Sequence, residues 1–351
     1  MKFNVFDTKD GYNNLLKQVS EDYFKIMQKR SSVLIYIDLY GSPKVLEAGA
    51  IVDIELVEKL IFAVKKISFP REIILATSGN ILSGLESLKL QGFGDLKNIR
   101  LLDLDSTSKI RIQDKHFKAI RNVSLSENII LCDYFINISS LKRHVIERVA
   151  GCSMNMYNVF SNDLTRQKFM PICGKVIKDI LHTTNPFLNV LDCGIILEGS
   201  GPVEGDPVIL NKVVIGDNPI LTDAVGCKLI GEDFRKSPHL KYLSKKKRFN
   251  LKVVKSGRRV KFISSFAFNL LRFHTFIKKT SLYLENLAYL FFLVSFVFIS
   301  IGPKKIFKGR WMPFSEYFKI AWKILSRFEE PNNILNWKIT INKHVEEESL
   351  S

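Results

Sequence analysis

Residues Phe187 to Gly231 read FLNVLDCGIILEGSGPVEGDPVILNKVVIGDNPILTDAVGCKLIG, and this stretch decides the fold class. Its apolar and β-branched opening, 188–197, predicts a strand. A loop rich in glycine and proline follows over 198–207, and Val213 to Ile215 predicts a second short strand. Asp217 is then placed to cap a helix that ends at Gly231. This order of elements, strand, glycine loop, strand and capped helix, is typical of a site at the edge of an α/β sheet.

Carboxylates crowd into the same stretch, which favours a site over simple tight turns. They are Asp192, Glu198, Glu204, Asp206, Asp217 and Asp223. Asp217 has the alternative role of a helix cap. Asp223 lies on a helix among apolar residues, so it is expected either to face solvent or to pair with a base or metal. A divalent cation bound by carboxylate oxygens stays an open alternative, although no spacing specifies one.

The chain before this stretch alternates strand-like and helix-like segments. Strands are predicted over Val33–Asp38, Glu72–Ala76, Ile99–Leu104 and Asn128–Cys132, and helices over Asn13–Gln28, from the Asp53 cap to Lys66, and over Leu82–Leu90. Residues 106–125 predict an antiparallel excursion. Such alternation predicts an α/β fold with a mostly parallel sheet and flanking helices.

Lys142 and His144 supply the second half of the predicted site. Ser140 is placed to cap a helix whose first turn would carry both residues. Free main-chain N–H groups and two basic side chains at such a helix start would attract a carboxylate or phosphate. The alternative is that both side chains are merely solvated. We expect this helix start and the glycine loop to share one cavity.

Two sets of residues match the pattern of a known family. The first set is Asp192, Glu198, Gly199, Gly201, Pro202, Gly205, Gly216, Asp217, Pro219 and Asp223, and the second is Leu141, Lys142, His144, Gly151 and Asn155. Through them, roughly residues 30 to 243 resemble the domain of unknown function 362 family. The resemblance implies ligand-binding roles for Asn155, Gly199, Gly201, Gly205, Asp217 and Asp223.

Three departures from the family pattern matter. Tyr36–Leu39 stands where the family has K-P-N-L, Met154 stands for its second lysine, and Met170 stands for a histidine. Altered specificity and loss of catalysis are therefore both open.

The cysteines give no metal-binding pattern. Cys132, Cys152, Cys173, Cys193 and Cys227 are widely spaced and form no C-x-x-C. Some members of the resembled family carry iron–sulfur clusters, but this spacing predicts neither such a cluster nor a zinc ribbon. With no apolar segment at the N-terminus, the thiols are expected to lie in a reducing compartment.

The excess of positive over negative charge is confined to the last third of the chain. The chain has a net charge of +17, and from Arg235 onwards 24 Lys and Arg face 7 Asp and Glu, so the rest is neutral. This shift predicts a boundary near Arg235, with an α/β domain over 1–234 and a basic helical region over 235–351.

An apolar stretch lies within that basic region. Residues 287–302, LAYLFFLVSFVFISIG, carry no charge and are flanked by lysines. They are shorter than the about 20 residues of a typical span, so a single span, a monotopic anchor and a buried or oligomer-forming helix all stay open. An amphipathic segment over 311–328 favours the anchor. We expect anionic lipids as partners at the cytoplasmic side of the cell membrane, and no nucleic acid.

Two function classes follow. In the enzyme hypothesis, Lys142 and His144 bind or protonate a small anionic molecule, and Asp192 or Glu198 acts as general base or holds a metal, for proton or electron transfer. In the alternative, the same pocket is catalytically silent, and the protein is a ligand-binding or scaffold module tethered to the membrane. His182 and His239 are interpreted as surface residues. Cofactor and oligomeric state stay undetermined.

Overall fold

The computed structural model describes residues 1–39, 48–79, 83–119, 122–144, 146–160, 166, 169–199, 206–245, 247–252, 254–255, 257 and 260. The chain divides into two compact units, Met1–Ile263 and Ser264–Ser351. All the described residues belong to the first unit, so the predicted segments 287–302 and 311–328 lie outside them. Within the described part of the chain, no helix is long and apolar enough to cross a membrane.

The described strands are β1 (Phe3–Asp7), β2 (Ser32–Ile37), β3 (Glu72–Thr77), β4 (Arg100–Asp103), β5 (Lys109–Gln113), β6 (Asn122–Ser126), β7 (Tyr134–His144), β8 (Arg148–Ala150), β9 (Leu188–Glu198) and β10 (Asp206–Gly216). The described α-helices are α1 (Asn13–Asp22), α2 (Ile54–Ser68), α3 (Gly84–Leu90), α4 (Glu127–Leu131), α5 (Cys152–Asn158), α6 (Cys173–Thr183), α7 (Pro219–Leu229) and α8 (Pro238–Leu243).

The main sheet has eight strands in the order β1-β10-β9-β7-β2-β3-β4, with β8 paired to β7. Strands β9, β7, β2, β3 and β4 are mutually parallel, whereas β10 runs antiparallel to β9 and to β1. Strands β5 and β6 form a separate antiparallel hairpin. The predicted α/β class, the mostly parallel sheet and the antiparallel excursion over 106–125 are therefore confirmed.

An apolar layer covers each face of the sheet. On one face, Leu56 and Leu60 of α2 pack with Val19 of α1 against the strands. On the other face, Tyr157 of α5 and Ile177 of α6 pack in a second cluster. Each fully buried side chain of this kind contributes about 1.5–3 kcal/mol. Strands with apolar residues on both faces are what a sheet covered on both sides requires.

The predicted helix at Ser140 is wrong, because residues 134–144 form the strand β7. This strand lies between β2 and β9 and is buried along nearly its whole length. Local cap-like residues suggested a helix, but pairing with parallel strands on both sides satisfies the backbone instead. The predicted strand over 128–132 is also wrong. Those residues lie in the short helix α4 and the residue after it, and Ser126 caps α4 by accepting from the Asn128 N–H.

The sequence predicted that Asp217 caps α7, and this is wrong. The neighbouring Asn218 is the cap, and its side chain accepts hydrogen bonds from the N–H groups of Ile220 and Leu221. Strand β10 is longer than predicted, because its first half pairs with β9 beyond a register shift between Ile209 and Lys212. This long-range pairing, rather than local composition, sets where β10 begins.

The described chain continues beyond Arg235 against the same core. Leu240 and Leu243 of α8 are buried in the apolar cluster that contains α5 and α6. The predicted division between 1–234 and 235–351 stays a prediction.

Candidate functional site

Charged side chains gather on three neighbouring parallel strands, at the level where β2 ends. Asp38 follows β2, Lys142 lies near the end of β7, and Asp192 lies in β9, and all three are buried. In open α/β sheets, ligands bind in the crevice outside the carboxyl ends of the strands. This edge is therefore the candidate functional site.

Two oxygen atoms of described residues contact the Lys142 ammonium group. Its Nζ lies 2.9 Å from Asp38 Oδ2 and donates to the Ala50 carbonyl at 2.6 Å. Ser140, two residues earlier on the same strand, donates from Oγ to that carbonyl at 3.4 Å. Breaking a buried ion pair by removing one partner typically costs 3–5 kcal/mol. The lysine therefore ties β7 to β2 and to the segment before α2.

Asp192 is the register partner of Ser140 on the adjacent strand. Its carboxylate accepts from the Asp53 N–H and from the Gly194 N–H, each at 2.8 Å. Burial raises the pKa of Asp192 to about 6, although the two N–H groups act in the opposite direction. A carboxyl group that titrates near neutral pH is suited to taking or releasing a proton.

The segment before α2 closes over this edge of the sheet. Asp53 caps α2 as predicted, accepting from the Glu55 N–H at 2.7 Å, and it also accepts from Tyr12 Oη at 2.9 Å. Gly49 has a φ of +91°, and a Cβ there would lie 3.1 Å from the Ile195 carbonyl oxygen. A glycine is needed here because the segment contacts the β9 backbone directly.

His144 has a different environment from the one predicted. It is buried at the end of β7, and its Nδ1 accepts from the N–H groups of Ile146 and Glu147 at 3.2 and 3.1 Å. Burial lowers the pKa of His144 to about 4. The imidazole is therefore neutral at physiological pH and closes the turn between β7 and β8.

The glycine loop begins beside Lys142. In the register of β7 and β9, Lys142 lies opposite Leu197, and Glu198 follows as the last residue of β9, opposite Asp206. Gly199 has a φ of +84°, and among the described residues a Cβ there would meet no atom within 4 Å beyond its chain neighbours. Gly201 and Gly205 lie outside the described residues.

Asn155 and Asp223 lie on the α5 face of the sheet and bind other parts of the protein. Asn155 Nδ2 donates to Asn137 Oδ1 at 2.8 Å and to the Ile138 carbonyl at 3.1 Å. Asp223 accepts from the N–H groups of Cys152 and Ser153 and from Ser153 Oγ. Burial raises the pKa of Asp223 to about 6. These contacts anchor the start of α5 to β7 and α7.

Asp217 is half-exposed and lies away from Lys142. One of its carboxylate oxygens is 3.8 Å from the N-terminal amine. As the first residue after β10 it lies beside the start of β1, whose Phe3 pairs with Gly216. The structure does not bring it together with the other predicted site residues.

His239 was interpreted as a surface residue, and this is wrong. It is buried, with Nδ1 2.9 Å from Glu147 Oε2 and Nε2 3.1 Å from Ser153 Oγ. Burial acts to raise the pKa of Glu147, but hydrogen bonds from His239 and Cys173 hold it below its ordinary value. The missed signal is that His239 precedes Leu243 by one helical turn, so both face the core.

The three departures from the family pattern have local explanations. Tyr36 is buried, and its hydroxyl lies 3.0 Å from Ser78 Oγ. Met154 is buried in the apolar cluster, and Met170 packs partly buried against it. The side chains at these three positions are therefore packed or hydrogen-bonded within the protein.

The profile of the family described as Domain of unknown function (DUF362) matches residues 33–228. No curated protein matches the sequence significantly. Among solved structures, the lactate racemase apoprotein from Thermoanaerobacterium thermosaccharolyticum is similar, with a TM-score of 0.40 and 11% sequence identity. The alignment covers 64% of this chain and 56% of that one, so it spans little more than half of the racemase.

Proposed function

The chain belongs to the DUF362 family, and on that premise we propose that the carboxyl edge of its sheet binds a small anionic molecule. The observation that carries the proposal is that a buried cation, Lys142, and a buried carboxyl group of near-neutral pKa, Asp192, lie on adjacent strands. Lys142 supplies the charge for the anion, and Asp192 titrates at about 6. Leu197 lies opposite Lys142 in the strand register, and the glycine loop that follows Glu198 in the sequence would complete the site.

As an enzyme, the protein would carry out proton or electron transfer on the bound anion. Asp192 is the proposed general base or acid, because a pKa near the working pH favours proton transfer in both directions. Lys142 would exchange the Asp38 carboxylate for the anionic group of the ligand. In the alternative role, Asp192 or Glu198 would offer oxygen atoms to a divalent cation. In this proposal His144 holds the β7–β8 turn, which follows Lys142, in place.

One observation favours the alternative of a catalytically silent ligand-binding or scaffold module. Lys142 Nζ is already bound by Asp38 and by the Ala50 carbonyl. Together with the replacements at Met154 and Met170, this is typical of a site that keeps its fold while losing its reaction. The two hypotheses differ in whether Asp192 is needed for turnover.

We also propose that the C-terminal third tethers the protein to the cytoplasmic side of the cell membrane. The support comes from the uncharged stretch 287–302, the flanking lysines and the amphipathic segment 311–328. Each Lys or Arg near an anionic bilayer contributes about 1 kcal/mol. A single span and an in-plane anchor both agree with this proposal.

Anion binding is tested by melting the purified full-length protein with phosphate, pyrophosphate, malonate or citrate as probe. We expect at least one probe to raise the melting temperature. The double variant Asp38→Asn/Lys142→Met removes both charges of the pair together and should lose that rise, whereas Lys9→Met, at an exposed lysine, should keep it. A rise that persists in the double variant places anion binding elsewhere.

Metabolite profiles of a deletion strain then separate the enzyme from the silent module. For an enzyme, the wild-type gene should restore the altered metabolite, and the Asp192→Asn gene should not. Equal restoration by both genes would contradict a catalytic Asp192.

A further inference from the structure

Three metal-ligating side chains meet on the surface, away from the carboxyl edge of the sheet. Asp114 and His116 lie in the turn of the β5–β6 hairpin, and His182 lies in the last turn of α6. We propose that these three residues form a binding site for a divalent transition-metal ion of the zinc type. One ligand atom from each residue lies within 4.8 Å of the other two.

The donor set has the right chemistry for such an ion. Two imidazoles and one carboxylate bind zinc in metalloenzymes and ferrous iron in oxygenases. His116 Nδ1 lies 2.8 Å from Asp114 Oδ1, and His182 Nε2 lies 3.1 Å from Asp114 Oδ2. Ligand atoms bound to zinc at 2.0–2.2 Å are about 3.4 Å apart in tetrahedral geometry, so small movements would admit the ion. Both histidines are more than half exposed, which leaves room for water as a fourth ligand.

A second, independent contact holds the hairpin turn against α6. Asp179, one helical turn before His182, is buried, and its carboxylate accepts from the Lys118 N–H at 2.8 and 2.9 Å and from the Ala119 N–H at 2.7 Å. The Phe117 ring also contacts the His182 ring edge-on, with centroids 6.2 Å apart. A buried carboxylate thus fixes the chain next to His116 on the helix that carries His182. The ligands are positioned by the fold and not only by surface side-chain rotation.

Asp114 is held in place by the backbone as well as by the two imidazoles. The His116 N–H donates to its Oδ1 at 2.7 Å. This backbone bond fixes the carboxylate in the turn, where one oxygen atom contacts His116 and the other contacts His182.

The experiment is a zinc titration of metal-free, untagged, full-length protein against a chromophoric chelator. We expect one zinc ion to bind with a micromolar or lower dissociation constant. His116→Ala, His182→Ala and Asp114→Asn should each weaken that affinity about tenfold or more. Lys115→Ala changes an exposed residue between two of the ligands, and His274→Ala changes a histidine outside the described residues, so both should bind as tightly as the wild type.

Melting temperatures show whether a variant loses zinc affinity because it is misfolded. Without metal the ligand variants should melt within a few degrees of the wild type, and zinc should raise the melting temperature of the wild type and of both control variants only. Wild-type affinity in the ligand variants, or an equal loss in the controls, would overturn the proposal and leave a hydrogen-bonded surface cluster without metal.

Discussion

At the scale of single residues, Asp192 gives the clearest solution test. Its carboxyl group is buried with a pKa of about 6, and none of its described contacts is a cation. The folded state therefore holds a proton that the unfolded chain, with its ordinary pKa of 3.8, releases. The free energy of unfolding contributed by this group must rise as the pH falls through 6.

We predict that the wild type gains about 1 kcal/mol over Asp192→Asn between pH 7.5 and pH 5. Asp223 contributes in the same direction and His144 in the opposite one, but both are present in the two proteins and cancel in the difference. Urea unfolding at several pH values measures the difference in unfolding free energy between the two proteins. The exposed control Asp10→Asn should track the wild type at every pH, and parallel curves for Asp192→Asn would contradict the raised pKa.

At the scale of elements, the N-cap of α7 can be tested at two adjacent residues, Asp217 and Asn218. The Asn218 side chain accepts from two helix N–H groups, whereas the carboxylate of Asp217 lies 3.8 Å from the N-terminal amine. Asn218→Ala should lower the free energy of unfolding by about 1 kcal/mol. Asp217→Ala should change it by about 0.5 kcal/mol or less. The midpoints of urea unfolding compare the two variants. A larger loss of unfolding free energy for Asp217→Ala would show that Asp217 is the cap, as the sequence predicted.

Two glycines with the same φ test whether the segment before α2 is in close contact with β9. Gly49 and Gly11 both have a φ of +91°, but only Gly49 lies against another backbone, at Ile195. Gly11→Ala should cost about 1 kcal/mol for its left-handed backbone alone. Gly49→Ala should cost about 1 kcal/mol more, because its Cβ must displace the segment from β9. Thermal melting of both variants measures the difference, and equal losses would mean that the segment is not in close contact with the strand.

At the scale of the whole molecule, the proposed membrane attachment depends on residues 287–302. A charge at the centre of an inserted helix costs about 2.5–3.5 kcal/mol. Val294→Asp should therefore move the protein from the carbonate-resistant membrane pellet to the supernatant, whereas Val294→Leu should leave it in the pellet. Cell fractionation with salt, carbonate and detergent washes measures this. Release of the wild type by salt alone would show that charge, and not apolar insertion, holds the protein.

The sequence by itself determined the α/β class, most of the strands and the family. Apolar runs such as 188–197 and the cap at Asp53 are local patterns, and local patterns are sufficient where a segment's own periodicity matches its final environment. The spacing of the loop glycines and of Lys142 also singled these residues out, but their role in a site stays a prediction.

Only the tertiary structure decided what those residues touch. Residues 134–144 became a strand because β2 and β9 pair with them on both sides, and Lys142 donates to a carbonyl 92 residues away in the chain. His239 became a core residue because Glu147 and Ser153 satisfy its ring nitrogens. The Asp114, His116 and His182 cluster likewise joins a hairpin to a helix. Contacts between distant segments leave no local periodicity, so their energies can override a segment's own preference without any sign of it in the sequence.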